Sequence, residues 1–238
     1  MDVALASRPA RSSLHVAVAE ALGREVLAGQ HPVESLLPPE AELCLRFGVS
    51  RTVIREAVKL LASKGLLRTR SGIGTWVPPR AEWNFLDATV LDWLAGGADS
   101  AAMIGDLFAF RTAVEPAAAA AAATDGTDED IAAIGRALAI MTTAETDLDR
   151  WIEGDVAFHA AIYEASNNLF MTSLANLFRK FFRASFRLSS AAFHHQHCLG
   201  EHRDVYEAIR ARDPDTAFRA VQRLLHGAES DVRITLSR

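Results

Sequence analysis

The chain has 238 residues, of which half are apolar and 23% are charged, a composition typical of a globular protein with one large domain or two modest ones. No apolar run approaches the roughly 18 residues that would cross a bilayer, and the N-terminus lacks the apolar core of a secretion signal. Two cysteines, Cys44 and Cys198, are too few for a disulfide framework. We therefore expect a cytoplasmic protein that does not enter a membrane.

Charge is unevenly divided along the chain. Residues 1–80 contain 11 Lys and Arg against 7 Asp and Glu, a balance of +4, whereas the remaining residues contain 14 against 23, a balance of −9. A basic segment followed by an acidic one suits a protein in which only the first domain meets phosphate groups.

The N-terminal third begins with the pattern of a helical domain. Residues 1–12 are polar, and we expect a disordered tail there. Apolar residues recur at helical spacing over 14–28, and the run ends at Gly29. This pattern predicts the first helix of a domain that spans 13–79.

Two further helices and a hairpin follow in the same domain. Pro38 and Pro39 suit the first turn of a helix, because proline fixes φ and lacks an N–H that would be unpaired there. Gly48 can end that helix with a positive φ, and Ser50 can cap the next one. Two β-prone runs within 65–77 flank a Ser-Gly-Ile-Gly turn, which predicts a hairpin. The combination predicts a winged helix-turn-helix.

The second helix of this motif has two distinct faces. Ile54 and Leu61 belong to its apolar side, which recurs at helical spacing. Arg51 and Arg55 lie one turn apart on another face, at the N-terminal end that meets base edges in a major groove. The alternative for these arginines is a solvated face with a charge interaction to Glu56.

The rest of the chain is predicted to be helical. Residues 80–98 form a linker whose apolar side chains, Trp83 and Leu86 among them, we expect to pack. No strand pattern or repeat follows, so we predict an all-helical antiparallel bundle of six or seven helices over 99–238. Pro116 predicts a kink or a break in the longest helix. The predicted helices are 86–94, 101–123, 127–142, 148–165, 170–188, 201–212 and 214–236.

These motifs resemble two known domains. The first half resembles the GntR family of bacterial transcription regulators, on the residues Leu37-Pro38-x-Glu40, Gly48-Val49-Ser50-Arg51-Thr52-x-x-Arg55-Glu56-Ala57, Gly65-Leu66 and Gly72-x-Gly74-x-x-Val77. The second half is similar to the FCD ligand-binding domain of the FadR subfamily, on Arg111-x-x-x-Glu115, Asp155-x-x-x-His159, Ser166-x-Asn168 and Glu201-His202. Residues 83–93 also resemble the linker of the galactonate-responsive repressors of this subfamily.

The resemblance implies a set of DNA contacts. Arginines in such a helix reach guanine O6 and N7 or nearby phosphates, and a glycine at the tip of the wing lets the backbone enter a minor groove. Many family members have an arginine after the Leu-Pro-x-Glu element, where this chain has Ala41, so the preferred operator can differ. The implied contact residues are Ser50, Arg51, Thr52, Arg55, Arg70 and Gly72.

The acidic half contains candidate metal ligands. Asp155 and His159 are four residues apart on a predicted helix and share one face; aspartate and neutral imidazole suit Zn²⁺, Mn²⁺ or Ni²⁺. The resemblance implies a divalent metal held by these two residues and two later histidines, of which His202 fits the third position. The fourth position holds Leu224. His226 lies two residues later, about 200° around the helix, so we expect three protein ligands and leave His226 open.

Other histidines and arginines complete the candidates. His194, His195 and His197 fall in a predicted loop without helical spacing, and we expect them to be exposed. The guanidinium of Arg111 matches the two oxygens of an organic carboxylate, and the resemblance implies an effector role for it. The alternative is an intrahelical ion pair with Glu115. We add Asn168 and Arg183 to the expected effector site.

We therefore expect a ligand-responsive DNA-binding transcription regulator, a repressor rather than an enzyme. A homodimer would bind palindromic double-stranded operator DNA, and a small carboxylate would change its operator affinity. The linker pattern favours a sugar acid such as an aldonate. Lactate, glycolate or another organic acid is the alternative effector, while acyl-CoA is disfavoured because the regulators that bind it lack the metal-site histidines.

A metalloenzyme using Asp155, His159 and His202 is the alternative of another class. Metal-assisted hydrolysis requires a general base or nucleophile beside the metal. The sequence shows no such group next to these residues, which favours the regulator.

Overall fold

A computed structural model describes residues 11–94, 100–144, 147–175, 179 and 195–236, without the side chains of 11–13, 100–104, 195–197 and 231–236. The chain divides into two compact units, 1–98 and 99–238. The prediction of a mostly helical protein with a winged helix-turn-helix and a helical bundle is confirmed. None of the described helices is long and apolar enough to cross a membrane. Arg183, His194, most of the predicted tail and the later part of the predicted helix 170–188 lie outside the described residues.

The first unit contains four helices and one hairpin within its described residues. The first helix begins at Arg11, three residues before the predicted start. In order, the elements are α1 (Arg11–Leu27), α2 (Glu40–Phe47), α3 (Arg51–Ser63), β1 (Arg68–Arg70), β2 (Gly74–Trp76), a 3₁₀ turn (Arg80–Glu82) and α4 (Ala88–Leu94).

The turn between α2 and α3 follows the local chemistry of the sequence. Gly48 ends α2 with φ 64°, a left-handed conformation that glycine adopts without steric cost. Ser50 then caps α3, where its hydroxyl oxygen accepts a hydrogen bond from the Val53 N–H at 3.4 Å. Ile54 and Leu61 are buried on one side of α3, which packs against α1. The apolar side fixes α3 and leaves its other face exposed.

The wing is a two-stranded antiparallel sheet. Arg68 pairs with Trp76, and Arg70 with Gly74. The N–H of Leu37 donates to the carbonyl of Thr75 at 2.8 Å, so the segment before α2 ties the wing to the rest of the unit.

The linker packs as a structured part of the first unit. The indole N–H of Trp83 donates to the carbonyl of Pro78 at 3.0 Å, and the ring is buried. The carboxylate of Asp87 caps α4 and also accepts a hydrogen bond from the ammonium of Lys64 at 2.8 Å. Trp93 lies so close to Gly23 that a Cβ there would stand 2.6 Å from the indole ring. The packing expectation fails for Leu86, which is 58% exposed.

The second unit is a helical bundle. A kink or a break was predicted at Pro116; the unit's longest described helix continues through that residue, so the break does not occur. Its last-but-one helix begins at His195, so His195 and His197 lie in a helix and the loop prediction for them is wrong. The elements are α5 (Ser100–Asp125), α6 (Asp128–Thr142), α7 (Leu148–Ala165), α8 (169–175), α9 (His195–Arg210) and α10 (Pro214–Leu236).

Packing in this unit brings α7 and α9 to a common interior. α5 packs against α7, α9 and α10, and α6 packs against α7 and α9. Thr127 and Asp130 form a reciprocal capping box that starts α6, and the side chain of Asp147 caps α7. These caps fix where α6 and α7 begin.

Candidate functional site

The exposed face of α3 carries the residues predicted to contact DNA. Ser50, Arg51, Thr52 and Arg55 are all exposed. The Arg55 Nε donates to both carboxylate oxygens of Glu40, at 3.1 and 3.0 Å. None of the described residues binds the two terminal nitrogens of Arg55, which form the edge that matches a guanine. Sequence analysis did not anticipate that Glu40 orients Arg55, because the two lie 15 positions apart on different helices.

The tip of the wing is open. Arg70 is exposed at the end of β1. Gly72 has φ 79°, and no described atom lies within 4 Å of the position that its Cβ would occupy. A backbone without a side chain can approach a ligand closely at such a point.

Three predicted metal ligands meet inside the second unit. Asp155 and His159 lie on α7 and His202 on α9, and each is at most 4% exposed. The Oδ1 of Asp155 is 2.7 Å from Nε2 of His202 and 3.6 Å from Nε2 of His159. One candidate ligand atom from each of the three residues lies within 4.8 Å of the others. This grouping fits one divalent ion.

The remaining polar atoms of the cluster also suit a metal. The second ring nitrogen of His159 contacts Glu115 at 2.8 Å, and that of His202 contacts the carbonyl of Cys198 at 2.6 Å. Such partners orient ligating imidazoles and direct Nε2 at the metal. Among the described residues, Asp155 Oδ2 has no hydrogen-bond partner. A buried carboxylate oxygen left this way costs free energy, and a metal ion would satisfy it.

A buried ion pair adjoins this cluster. The Nε of Arg111 donates to Oε1 of Glu115 at 2.6 Å, and both side chains are almost fully buried. Burial alone raises the pKa of the Glu115 carboxyl, but the charges and hydrogen bonds of Arg111 and His159 outweigh it and hold the pKa at about 2. Burial likewise raises the pKa of Asp155, and the His202 hydrogen bond with the charges of both histidines brings it below the usual value. Both carboxylates are ionised at neutral pH.

The other predicted residues lie elsewhere. Asn168 is exposed, and its side-chain oxygen caps α8 by accepting from the N–H groups of Phe170 and Met171. His226 is exposed, while Leu224 is buried. The two residues therefore lie on different sides of α10, as the helical rotation of about 200° between them predicts. His226 does not join the cluster of Asp155, His159 and His202.

A narrow cavity borders Glu115 and His159. Its other walls are formed by Ala118, Ile162, Tyr163 and Val221. Burial, and then the charge of Glu115, raise the pKa of the Tyr163 hydroxyl, which stays protonated as a hydrogen-bond donor. The space is too small for a water molecule, so a ligand of several carbon atoms would have to widen it.

Comparison with known proteins agrees with both halves of the structure. Residues 14–77 match the bacterial regulatory proteins of the gntR family, and residues 106–227 match the FCD domain. The chain is 38% identical over 222 residues to the uncharacterized HTH-type transcriptional regulator YieP of Escherichia coli strain K12, covering 92% of this chain and 96% of that protein. It is 33% identical over 201 residues to the galactonate operon transcriptional repressor of the same strain, covering 84% and 88%.

A solved structure of a GntR protein is similar over most of the length of both chains. The GntR protein of Streptococcus agalactiae superposes with a TM-score of 0.51 at 26% identity, covering 91% of this chain and 99% of that one. The matched proteins are transcription regulators and not enzymes, which removes the metalloenzyme alternative. The chain belongs to the gntR family of bacterial transcription regulators, with an FCD domain behind its helix-turn-helix.

Proposed function

We propose that the protein is a repressor whose FCD domain binds a small carboxylate beside a divalent metal and thereby lowers the affinity of the helix-turn-helix for its operator. A homodimer would place one helix-turn-helix in each half of a palindromic site. Effector binding would act as a population shift between states of different operator affinity.

The DNA contacts proposed are those on the exposed face of α3 and at the wing. Arg55 is supported by its orientation on Glu40, which leaves the guanine-binding edge open. Gly72 is supported by the empty space around its α-carbon. Ser50, Arg51, Thr52 and Arg70 complete the set.

The metal would be held by Asp155, His159 and His202. One carboxylate and two imidazoles suit zinc, nickel or manganese, and three protein ligands leave coordination positions for water or an effector. When bound, the ion supplies a positive centre that attracts carboxylate and hydroxyl oxygens.

The effector proposed is a sugar acid of the aldonate class. The galactonate operon repressor is similar along most of its length, and aldonates combine a carboxylate for Arg111 with hydroxyls for a metal and Tyr163. The linker residues 83–93 also resemble those of such repressors, and they include Trp83 and Asp87, which pack within the first unit. Lactate and glycolate carry the same carboxylate and a single neighbouring hydroxyl, and they remain the alternative.

The observation that carries the proposal is the buried Asp155–His159–His202 cluster beside a buried arginine. The experiment is thermal unfolding of chelator-stripped protein after addition of Zn²⁺, Ni²⁺ or Mn²⁺, followed by galactonate, gluconate, lactate or glycolate. We expect one metal to raise Tm and one acid to raise it further only in the metal-loaded protein. A Tm that responds to no metal and no acid contradicts the proposal.

A further inference from the structure

Glu115 joins the two parts of the proposed effector site. Its Oε1 accepts from Arg111 Nε at 2.6 Å, while its Oε2 lies 2.8 Å from His159 Nδ1. The side chain of Glu115 is buried, with 2% of the residue exposed. One buried side chain therefore contacts both the guanidinium that an effector carboxylate would use and an imidazole that a metal would use.

The contact to His159 sets the tautomer of that ring. A carboxylate can only accept a hydrogen bond, so Nδ1 of His159 carries the proton when it faces Glu115. The lone pair of the neutral ring is then on Nε2, the nitrogen near Asp155. Such outer partners raise the basicity of ligating imidazoles and hold their orientation.

The contact to Arg111 has the opposite consequence for an anionic ligand. Glu115 already neutralises the guanidinium, so an incoming carboxylate competes with it. The site also holds a second buried carboxylate, Asp155. A divalent ion would add two positive charges beside these carboxylates, which would favour the binding of an anionic effector.

We propose that Glu115 is a positioning residue that holds His159 for the metal and occupies Arg111 until the effector carboxylate replaces it there. The proposal rests on the function proposed above. On effector binding, the contact between Glu115 and Arg111 breaks, and the guanidinium binds the effector carboxylate instead. The contact between Glu115 and His159 persists, so the metal ligand stays in place.

The test is Glu115→Gln, which keeps the shape of the side chain and removes its charge. Metal affinity is measured by competition with a chelator, and galactonate affinity by calorimetry on the metal-saturated protein. We expect metal binding to weaken about 10- to 100-fold and galactonate binding to tighten about tenfold. A purely structural role would weaken both. The matched control is Glu164→Gln, an exposed glutamate on α7 that pairs with Arg179; it should change neither.

Magnetic resonance of the wild-type protein gives a second readout that does not depend on how the variant folds. Adding galactonate to metal-loaded protein should shift the Arg111 Nε–H resonance and leave the His159 Nδ1–H resonance in place. The inference alone is overturned if Glu115→Gln leaves metal affinity unchanged, or if it weakens both metal and galactonate binding. It is also overturned if the Arg111 resonance of the wild-type protein does not change when galactonate binds. Wild-type protein that binds neither metal nor any of the four acids overturns the proposed function together with it.

Discussion

Replacement of Arg55 by alanine is the sharpest test of the proposal that α3 contacts DNA. The Arg55 side chain is 64% exposed and directed by Glu40, so its removal should leave the fold of the first unit intact. A bidentate arginine–guanine contact is worth about 1–3 kcal/mol of discrimination. The proposed symmetric dimer would lose this contact in both half-sites, so the loss would amount to about 2–6 kcal/mol, or roughly 30-fold to 10⁴-fold in specific affinity.

The assay is fluorescence anisotropy on the duplex upstream of the protein's own gene and on a shuffled duplex, at one fixed salt concentration. Salt must be fixed because phosphate contacts make all DNA affinities salt-dependent. Arg136→Ala is the matched control, since Arg136 is an exposed arginine of α6 in the other unit. If Arg55→Ala preserved the ratio of specific to shuffled affinity, the assignment of α3 as the recognition helix would be refuted.

Three further predictions concern stability and the two sites. Asp155→Asn should abolish metal-dependent stabilisation, which for the wild type at an ion concentration 100 times Kd is about 2.7 kcal/mol, or roughly 5–11 °C in Tm; a melt that keeps the increment contradicts the ligand assignment. Gly65→Ala should unfold the first unit more readily than Gly72→Ala, because both have positive φ but only at Gly65 would a Cβ stand 2.3 Å from a backbone oxygen; equal denaturant midpoints would contradict this. Burial raises the pKa of Asp87, but Lys64 and two backbone N–H groups outweigh it and hold that pKa low. Asp87 therefore stabilises the fold above its unfolded pKa, and Asp87→Asn should cost about 1–2 kcal/mol at pH 7, a difference that disappears in denaturant titrations as the pH falls through the folded pKa.

The parts of the fold that follow from local rules were predictable from the sequence. Gly48 ends α2 through its backbone conformation, and Ser50 caps α3 through its side chain. Both effects are local, so they can be predicted without knowing which distant residues are nearby. The i, i+4 spacing of Asp155 and His159 likewise places them together on one helix. The rotation of Leu224 and His226 followed from helix geometry alone.

The features that depend on contacts between helices were not predictable. Glu115 was expected only as a neighbour of Arg111 on the same helix, and its contact with His159 arises from the packing of α5 on α7. The pairing of Glu40 with Arg55 depends in the same way on how α2 packs on α3. Asn168 was predicted only as an effector contact, and its capping of α8 was not foreseen.

The most direct test of the central claim is the operator affinity of the full-length, metal-loaded protein with and without galactonate. If a carboxylate bound in the second unit controls DNA binding by the first unit, galactonate should lower the operator affinity about 5- to 150-fold, the usual range of coupling between two sites. An operator affinity that stays the same with galactonate, gluconate, lactate and glycolate would contradict the account.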